Sequence, residues 1–124
     1  MKVRIRENSV RLRLGRSEIR RLADERVLFE ETDFGRGRKL GYALHAGDIP
    51  AARATFDQGV IVVWIPHEAA RELADTNRVA VEARQPLEGG TDLTILVEKD
   101  FECLDAPASE PQDDAFPNPR GGKC

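Results

Sequence analysis

The strict alternation of apolar and charged side chains over the first fourteen residues constrains the fold more than any other feature of this chain. A period of two residues is typical of a β-strand with one buried face and one face in water. Two such runs flank Glu7 and Asn8. A two-residue connection between alternating runs predicts a tight β-hairpin, in which Asn8 tolerates the positive φ angle that the turn requires.

The remainder of the chain repeats one order of elements. Helices are predicted to start near residue 16, where Ser17 or Gly15 can supply the cap, and near Pro66; in both places apolar residues recur at helical spacing. With a shift of about 51 residues, the apolar positions of the two halves coincide, so we interpret residues 1–47 and 50–101 as copies of one ββαββ unit. The predicted strands are residues 1–6, 9–14, 26–33, 40–44, 52–56, 59–65, 79–83 and 93–97.

Eight strands and two short helices predict an α+β protein with a mainly antiparallel sheet. Because so many half-buried strands in 124 residues would leave two exposed edges, we expect the sheet to curl or to close like a barrel. The polar face would then line the interior; in an open sheet it would face solvent. Residues 1–103 are predicted to be a single domain. Residues 104–124 hold four prolines and no periodicity, which predicts an acidic, largely disordered tail.

The charge of the chain is unevenly distributed. The formal net charge is −3, yet residues 1–45 hold 12 Lys and Arg against 7 Asp and Glu, a local excess of +5. The predicted hairpin places Arg4 opposite Arg11 and Lys2 opposite Arg13, and like charges in such pairs repel. Either carboxylates from neighbouring strands, such as Glu30, Glu82 or Glu98, or an anionic ligand must compensate them. The candidate ligand-binding residues on this polar face are Lys2, Arg4, Arg6, Arg11, Arg13, Arg26 and Arg84.

Other chemistry is sparsely represented. Cys103 and Cys124 are too few for a four-thiolate zinc site, and their spacing with His45 and His67 matches no ligand motif. The glycine- and arginine-rich segment 35–39 could cradle a phosphate, but it joins two strands and therefore reads better as a solvated hairpin tip. No catalytic motif is recognisable, so we predict no metal, no cofactor and no catalytic residue.

Several longer strings of the sequence carry a family resemblance. They are the Met-Lys-x-Arg-Ile-Arg opening, the run Leu96–Phe101, Cys103-Leu104 and the segment Phe116–Pro119. In these strings the chain resembles, over nearly its full length, a small bacterial family of unknown function. The resemblance implies kinship and attaches no activity to it.

Two further resemblances suggest alternative functions. The element order and basic lining of residues 1–101 resemble the CYTH, or triphosphate-tunnel, superfamily, which implies a metal-dependent triphosphate phosphohydrolase. That superfamily carries Glu-x-Glu-x-Lys where this chain reads Lys2–Arg6, without an acid. The segments Val10–Leu22 and Val60–Leu73, the second with Pro66 and Glu68, resemble the swapped-hairpin DNA-binding proteins of the AbrB type, which implies a protein- or nucleic-acid-interaction module.

Taken together, these patterns favour a small non-enzymatic domain that binds a phosphate-bearing or other anionic ligand on a basic strand face. The chain shows no long apolar run and no signal peptide, so we predict a cytoplasmic protein without a membrane partner. A nucleic-acid partner is not expected under this interpretation. The sequence leaves the ligand and the oligomeric state open.

Overall fold

The computed structural model describes residues 1–101 and 114–117, which form an α+β structure of eight strands and two helices. The predicted fold class and the predicted numbers of strands and helices are therefore confirmed. In chain order the elements are β1 (Lys2–Arg6), β2 (Ser9–Leu14), α1 (Arg16–Glu25), β3 (Val27–Asp33), β4 (Lys39–Gly47), β5 (Arg53–Asp57), β6 (Val60–Pro66), α2 (His67–Asp75), β7 (Ala80–Pro86) and β8 (Asp92–Lys99).

The eight strands form two separate four-stranded sheets, in the orders β1-β2-β8-β7 and β3-β4-β6-β5. Each sheet joins a hairpin from one half of the chain to a hairpin from the other half, an arrangement we call the hairpin exchange. The hairpins themselves are antiparallel, whereas β2 pairs with β8 and β4 with β6 in parallel. The pairing is thus mainly antiparallel, as predicted. The described strands do not close into one barrel, so the strand faces opposite the core lie in solvent and line no tunnel.

One hydrophobic core is enclosed by the two sheets and the two helices, and both halves of the chain contribute to it. Burial of a large aliphatic side chain stabilises a fold by about 1.5–3 kcal/mol. Because each hairpin buries its apolar face against residues of the other half, the halves depend on one another for stability. The fully buried large side chains are Leu12, Leu14, Ile19, Leu22, Leu44, Val63, Ile65, Leu73, Ile95 and Val97.

The two sheets are joined at one edge and separated at the other. At the joined edge, the Gln85 side chain of β7 pairs with the backbone of Ala54 in β5. Its Oε1 accepts from the Ala54 N–H at 2.7 Å, and its Nε2 donates to the Ala54 carbonyl at 3.0 Å. At the opposite edge, β1 and β3 leave a groove of about 550 Å³, which we call the β1 groove. It is lined by Met1, Lys2, Val3, Ile5, Thr32, Leu40 and Tyr42.

The first hairpin has the predicted register. Arg4 pairs with Arg11 and Lys2 pairs with Arg13. Alternate residues of β2 are buried, so these four cations lie on the opposite, solvent-facing side. The alternation in the sequence therefore identified both the pairing and the face.

The turn of this hairpin differs from the prediction in one detail. The positive φ angle, 49°, is on Glu7 and not on Asn8. Asn8 instead bonds to the start of β8: its side-chain amide donates to the Asp92 carbonyl at 2.7 Å, and its own carbonyl accepts from the Thr94 N–H at 3.0 Å. These bonds to a strand from the other half hold Asn8 in place and leave the exposed Glu7 to adopt the left-handed conformation.

Residues 114–117 hold the start of α1. The helix follows Gly15, which has no side chain to cap the free N–H groups of the first turn. Asp114 supplies the missing cap: its carboxylate accepts from the Ser17 N–H at 3.1 Å and from the Ser17 hydroxyl at 2.8 Å. The Asp114 carbonyl also accepts from the Arg16 N–H at 2.9 Å. The cap of α1 is therefore provided by a residue distant in the sequence.

Phe116 anchors the same segment. Its ring centroid lies 5.9 Å from that of Phe101, and the ammonium of Lys99 lies 5.0 Å from the Phe116 centroid. Phe116 is partly buried against the core. The other residues of the predicted tail, and the domain boundary predicted at residue 103, lie outside the described residues.

The placement of Arg26 and Glu30 on the polar face predicted that Val27 and Phe29 are buried, but strand β3 has the opposite parity. Leu28 is buried, whereas Val27 and Phe29 are 41% and 52% exposed. Three consecutive apolar residues leave the alternation ambiguous, and Arg26, in the left-handed conformation with φ 67°, ends α1 directly before them. Arg26 is consequently not on a strand face. Glu30 turns toward the N-terminal ammonium, 2.9 Å away, and so does not compensate the cations of the first hairpin.

Candidate anion-binding face

Six of the seven basic residues selected from the sequence lie on the solvent-facing side of the sheet β1-β2-β8-β7. The strand registers arrange this surface, which we call the basic face, in three rows across the four strands. From β1 to β7 the rows read Lys2, Arg13, Glu98, Ala80; then Arg4, Arg11, Leu96, Glu82; then Arg6, Ser9, Thr94, Arg84. Six cations and two carboxylates give these positions a formal charge of +4.

Acidic residues pair with half of these cations. The Arg13 Nε lies 2.8 Å from the Glu98 Oε1, and the Arg11 Nε lies 3.6 Å from the same oxygen. The Lys2 Nζ lies 2.9 Å from the Asp100 Oδ2. All three cations remain at least one-third exposed, so each pair contributes only about 0–1 kcal/mol. Glu98 therefore supplies part of the compensation that the hairpin was predicted to need.

The other three cations are unpaired. Among the residues that the structure describes, Arg4, Arg6 and Arg84 make no ion pair. Arg4 and Arg6 are neighbours on one side of β1, about 7 Å apart, and Arg84 lies three strands away, about 14 Å from Arg6. An anion that engages all three must therefore be extended.

The solvent-facing side of the other sheet is mostly apolar. Its rows read Val27, His45, Trp64, Arg53; then Phe29, Ala43, Val62, Thr55; then Glu31, Gly41, Val60, Asp57. The Arg53 guanidinium lies 5.0 Å from the Trp64 ring centroid, and the His45 ring lies 5.9 Å from it. Sequence reasoning missed the exposure of Val27 and Phe29, for which the only signal was the ambiguous apolar run at the start of β3.

The remaining candidates from the sequence have structural roles or lie outside the described residues. The His67 Nε2 is 3.0 Å from the Ala23 carbonyl and so connects the two helices. In the segment 35–39, the Gly35 N–H donates to the Asp33 Oδ1 at 2.8 Å, and the Arg38 N–H donates to the Gly35 carbonyl at 3.0 Å. These bonds use amides that a phosphate cradle would need.

The described residues show no metal site and no membrane-spanning helix. Within residues 1–101 and 114–117, no group of three or more His, Cys, Asp or Glu side chains is placed to hold a metal ion. Cys103 and Cys124 lie outside those ranges. Neither of the helices seen in the same ranges has the length and apolar character needed to cross a membrane.

Two ammonium groups are bound away from the basic face. Lys99, the last residue of β8, is only 9% exposed, and its Nζ donates to the Thr76 carbonyl at 3.1 Å. Burial lowers the pKa of Lys99 from its ordinary value of 10.5. Burial also acts to lower the pKa of the Met1 ammonium, but the hydrogen bonds that it donates to the Glu18 and Glu30 carboxylates, with their negative charge, outweigh burial and raise that pKa above its ordinary 8.0.

Replacing Lys99 by methionine is expected to remove a pH-dependent part of the stability. Because burial lowers the pKa of Lys99 in the folded protein, the charged side chain reduces the free energy of unfolding at neutral pH. This loss of stability disappears as the pH rises through the folded-state pKa toward 10.5. The raised pKa of the Met1 ammonium changes the stability with pH in the opposite direction, but this contribution is the same in the unchanged protein and in the Lys99→Met variant. The free energy of unfolding in urea, measured from about pH 7 upward, should therefore rise for the unchanged protein relative to Lys99→Met. A constant difference would contradict this assignment.

Comparison with known proteins identifies a family but no activity. The model of a family described as being of unknown function (DUF7009) matches residues 1–120. No curated protein and no solved structure matches the chain significantly.

Proposed function

The chain belongs to DUF7009, a family of unknown function, and we propose from its own structure that it is a non-enzymatic domain that binds an extended anion on the basic face. The observation that carries this proposal is the formal charge of +4 on one side of a single sheet, with Arg4, Arg6 and Arg84 unpaired among the described residues. Exposed, unpaired guanidinium groups bind phosphate and carboxylate groups in bidentate geometry.

The arrangement of the face supports an extended ligand more than a single phosphate ion. The third row places Ser9 and Thr94 between Arg6 and Arg84. This row spans about 14 Å at ordinary strand spacing. A chain of linked anionic groups can contact both ends of it, whereas an isolated phosphate reaches one end and gains little from the other.

Titration with inorganic phosphate chains of increasing length tests the proposal. We expect the melting temperature to rise with tripolyphosphate and longer chains, and to rise much less with inorganic phosphate at the same concentration of phosphate groups. The affinity should fall steeply with added salt, because the attraction is electrostatic. Equal effects of all chain lengths, or the absence of any effect at low salt, would contradict an extended anion site.

A second candidate is the nucleic-acid-interaction module that the AbrB-type resemblance implies. It is favoured by the hairpin exchange, because each sheet takes one hairpin from each half, and by the location of the basic face in solvent. A single-stranded oligonucleotide that binds more tightly than a polyphosphate of equal charge would favour this candidate; equal or weaker binding would favour the general anion site.

The triphosphate phosphohydrolase alternative has less support. The resemblance on which it rests implies a closed tunnel, whereas the described strands form two sheets whose basic residues face solvent. Measuring triphosphate hydrolysis with and without magnesium tests this alternative. Magnesium-dependent turnover would support a phosphohydrolase, and its absence would reject it.

A further inference from the structure

We infer that the edge strand β1 binds an extended segment of a partner protein in which acidic and apolar residues alternate, added to the sheet as a fifth strand. The inference deepens the proposed function: it names a partner class for the basic face and rests on that function for its electrostatic part. Three features carry it, namely the outer edge of β1, which pairs with no other strand within residues 1–101 and 114–117, the β1 groove beside this edge, and the alternation of cations along the strand.

The backbone of β1 offers hydrogen-bonding groups at the edge of the sheet. Arg6 and Ser9 flank the two-residue turn, so they form a hydrogen-bonded pair. Hydrogen-bonded and non-hydrogen-bonded pairs alternate along an antiparallel hairpin, so the N–H and C=O of Arg4, two residues from Arg6, also point toward β2. The same alternation directs the N–H and C=O groups of Val3 and Ile5 away from β2. Since β1 is the first strand in its sheet order, these groups face the β1 groove.

The side chains beside this edge specify the sequence of the added strand. Residues paired with Val3 and Ile5 would point into the β1 groove, where they meet Leu40 and Tyr42. Ile5 is 58% exposed, so its apolar surface is available to a partner. Residues between them would point to the opposite side, beside the cations of β1. A segment that alternates acidic and apolar residues satisfies both sides, and addition of such a strand is a recognised mode of peptide binding.

Of the three other sheet edges, two are already joined to each other, and the third, β3, carries Glu30, Glu31 and Asp33, which would repel an acidic segment. The edge strands β5 and β7 are joined through the Gln85 amide and the backbone of Ala54, so that pair of edges is already occupied. A second copy of this chain would fit β1 poorly, because two β1 strands paired with each other would place basic residues opposite basic residues. Charge therefore selects an acidic partner over self-association.

Two synthetic peptides of identical composition test the inference with the full chain. One peptide alternates glutamate and valine, and the other carries the same residues in separate blocks. We expect the alternating peptide to bind at least about tenfold more tightly by fluorescence anisotropy, because it alone matches both sides of β1. On binding, the amide hydrogens of Val3 and Ile5 should exchange more slowly with solvent, while the amide of Arg4, already bonded to β2, should be unaffected.

A matched pair of variants isolates the backbone contribution. Ile5→Pro and Ile5→Thr both remove the isoleucine side chain, but only proline removes the N–H at the edge, where a missing donor costs β1 no bond to β2. Ile5→Pro should bind the alternating peptide about fivefold more weakly than Ile5→Thr, which corresponds to one lost hydrogen bond. Amide exchange on the unchanged protein supplies an independent readout if either variant folds poorly.

The outcomes separate this inference from the proposed function. Equal binding of the two peptides, or unchanged exchange at Val3 and Ile5, would overturn the added strand while leaving the anion site intact. Binding of polyphosphate without binding of either peptide would have the same meaning. Failure of polyphosphate and of both peptides would overturn the anion site, and with it the electrostatic part of the inference.

Discussion

Replacing Arg4 and Arg6 together by glutamate is expected to lower the affinity for polyphosphate by about a hundredfold or more at low salt. The change removes two cations that are unpaired among the described residues and adds two anions. The formal charge of the basic face falls from +4 to zero. A polyanion then meets a surface with no net attraction, and the electrostatic contribution to binding is lost. Isothermal titration of both proteins at one low salt concentration measures the effect.

The same double substitution should leave the fold at least as stable as before. Arg4 lies directly opposite Arg11, and this like-charge pair is destabilising. Glutamate at position 4 would replace the repulsion by attraction, which is worth about 0.5 kcal/mol in urea unfolding. Lost affinity together with retained or increased stability would show that the two arginines serve binding at the expense of the fold.

A second double variant controls for total charge. Arg36→Glu with Arg38→Glu, in the loop between β3 and β4, changes the net charge of the chain by the same amount, from −3 to −7. We expect this variant to keep its affinity for polyphosphate within about threefold, because long-range interactions between exposed charges are screened. If both double variants lose affinity equally, binding depends on the charge of the whole molecule and the basic face is not the site.

Introducing a side chain at Gly15 is expected to destabilise the protein by about 1–2 kcal/mol. A Cβ atom at this position would overlap the carboxylate of Asp114, which caps α1. Gly15→Ala therefore displaces the cap, and Asp114→Ala removes it directly, so the two variants should lose similar amounts of free energy of unfolding. Urea unfolding of both variants gives the comparison.

The double variant Gly15→Ala with Asp114→Ala decides whether these residues act through one contact. We expect its loss of stability to match that of either single variant, because the same cap can be lost only once. Gly47→Ala serves as the control, since a Cβ there meets open space and should change the stability by less than about 0.5 kcal/mol. Additive losses would mean that Gly15 and Asp114 stabilise α1 independently.

The sequence alone was sufficient where structure is local. The register of the first hairpin followed from alternation and from a two-residue turn, and these two features placed Arg4 opposite Arg11 correctly. Helix α2 begins beside Pro66, as predicted. The same reasoning failed in β3, because Val27, Leu28 and Phe29 are all apolar and no alternation distinguishes the buried one.

Contacts between distant parts of the chain could not be predicted from these patterns. Arg13 and Glu98 are 85 residues apart, and their pairing depends on β2 lying beside β8, which no local signal specifies. Likewise, Ser17 and Asp114 are 97 residues apart. Gly15 or Ser17 was the expected cap of α1, and no local signal points to Asp114. The division into two sheets has the same origin, because alternation describes a strand and not its neighbours.

The hairpin exchange has a consequence for how such a molecule can diversify. Two identical chains, each half as long, could form the same pair of sheets if each chain contributed one hairpin to each sheet. Every substitution on the solvent-facing side of one sheet would then appear on the other sheet as well. Within one polypeptide, the residues on the two solvent-facing sides can be substituted independently. Here one face is cationic and the other is mostly apolar around a shared core, so a single chain has two chemically distinct sides.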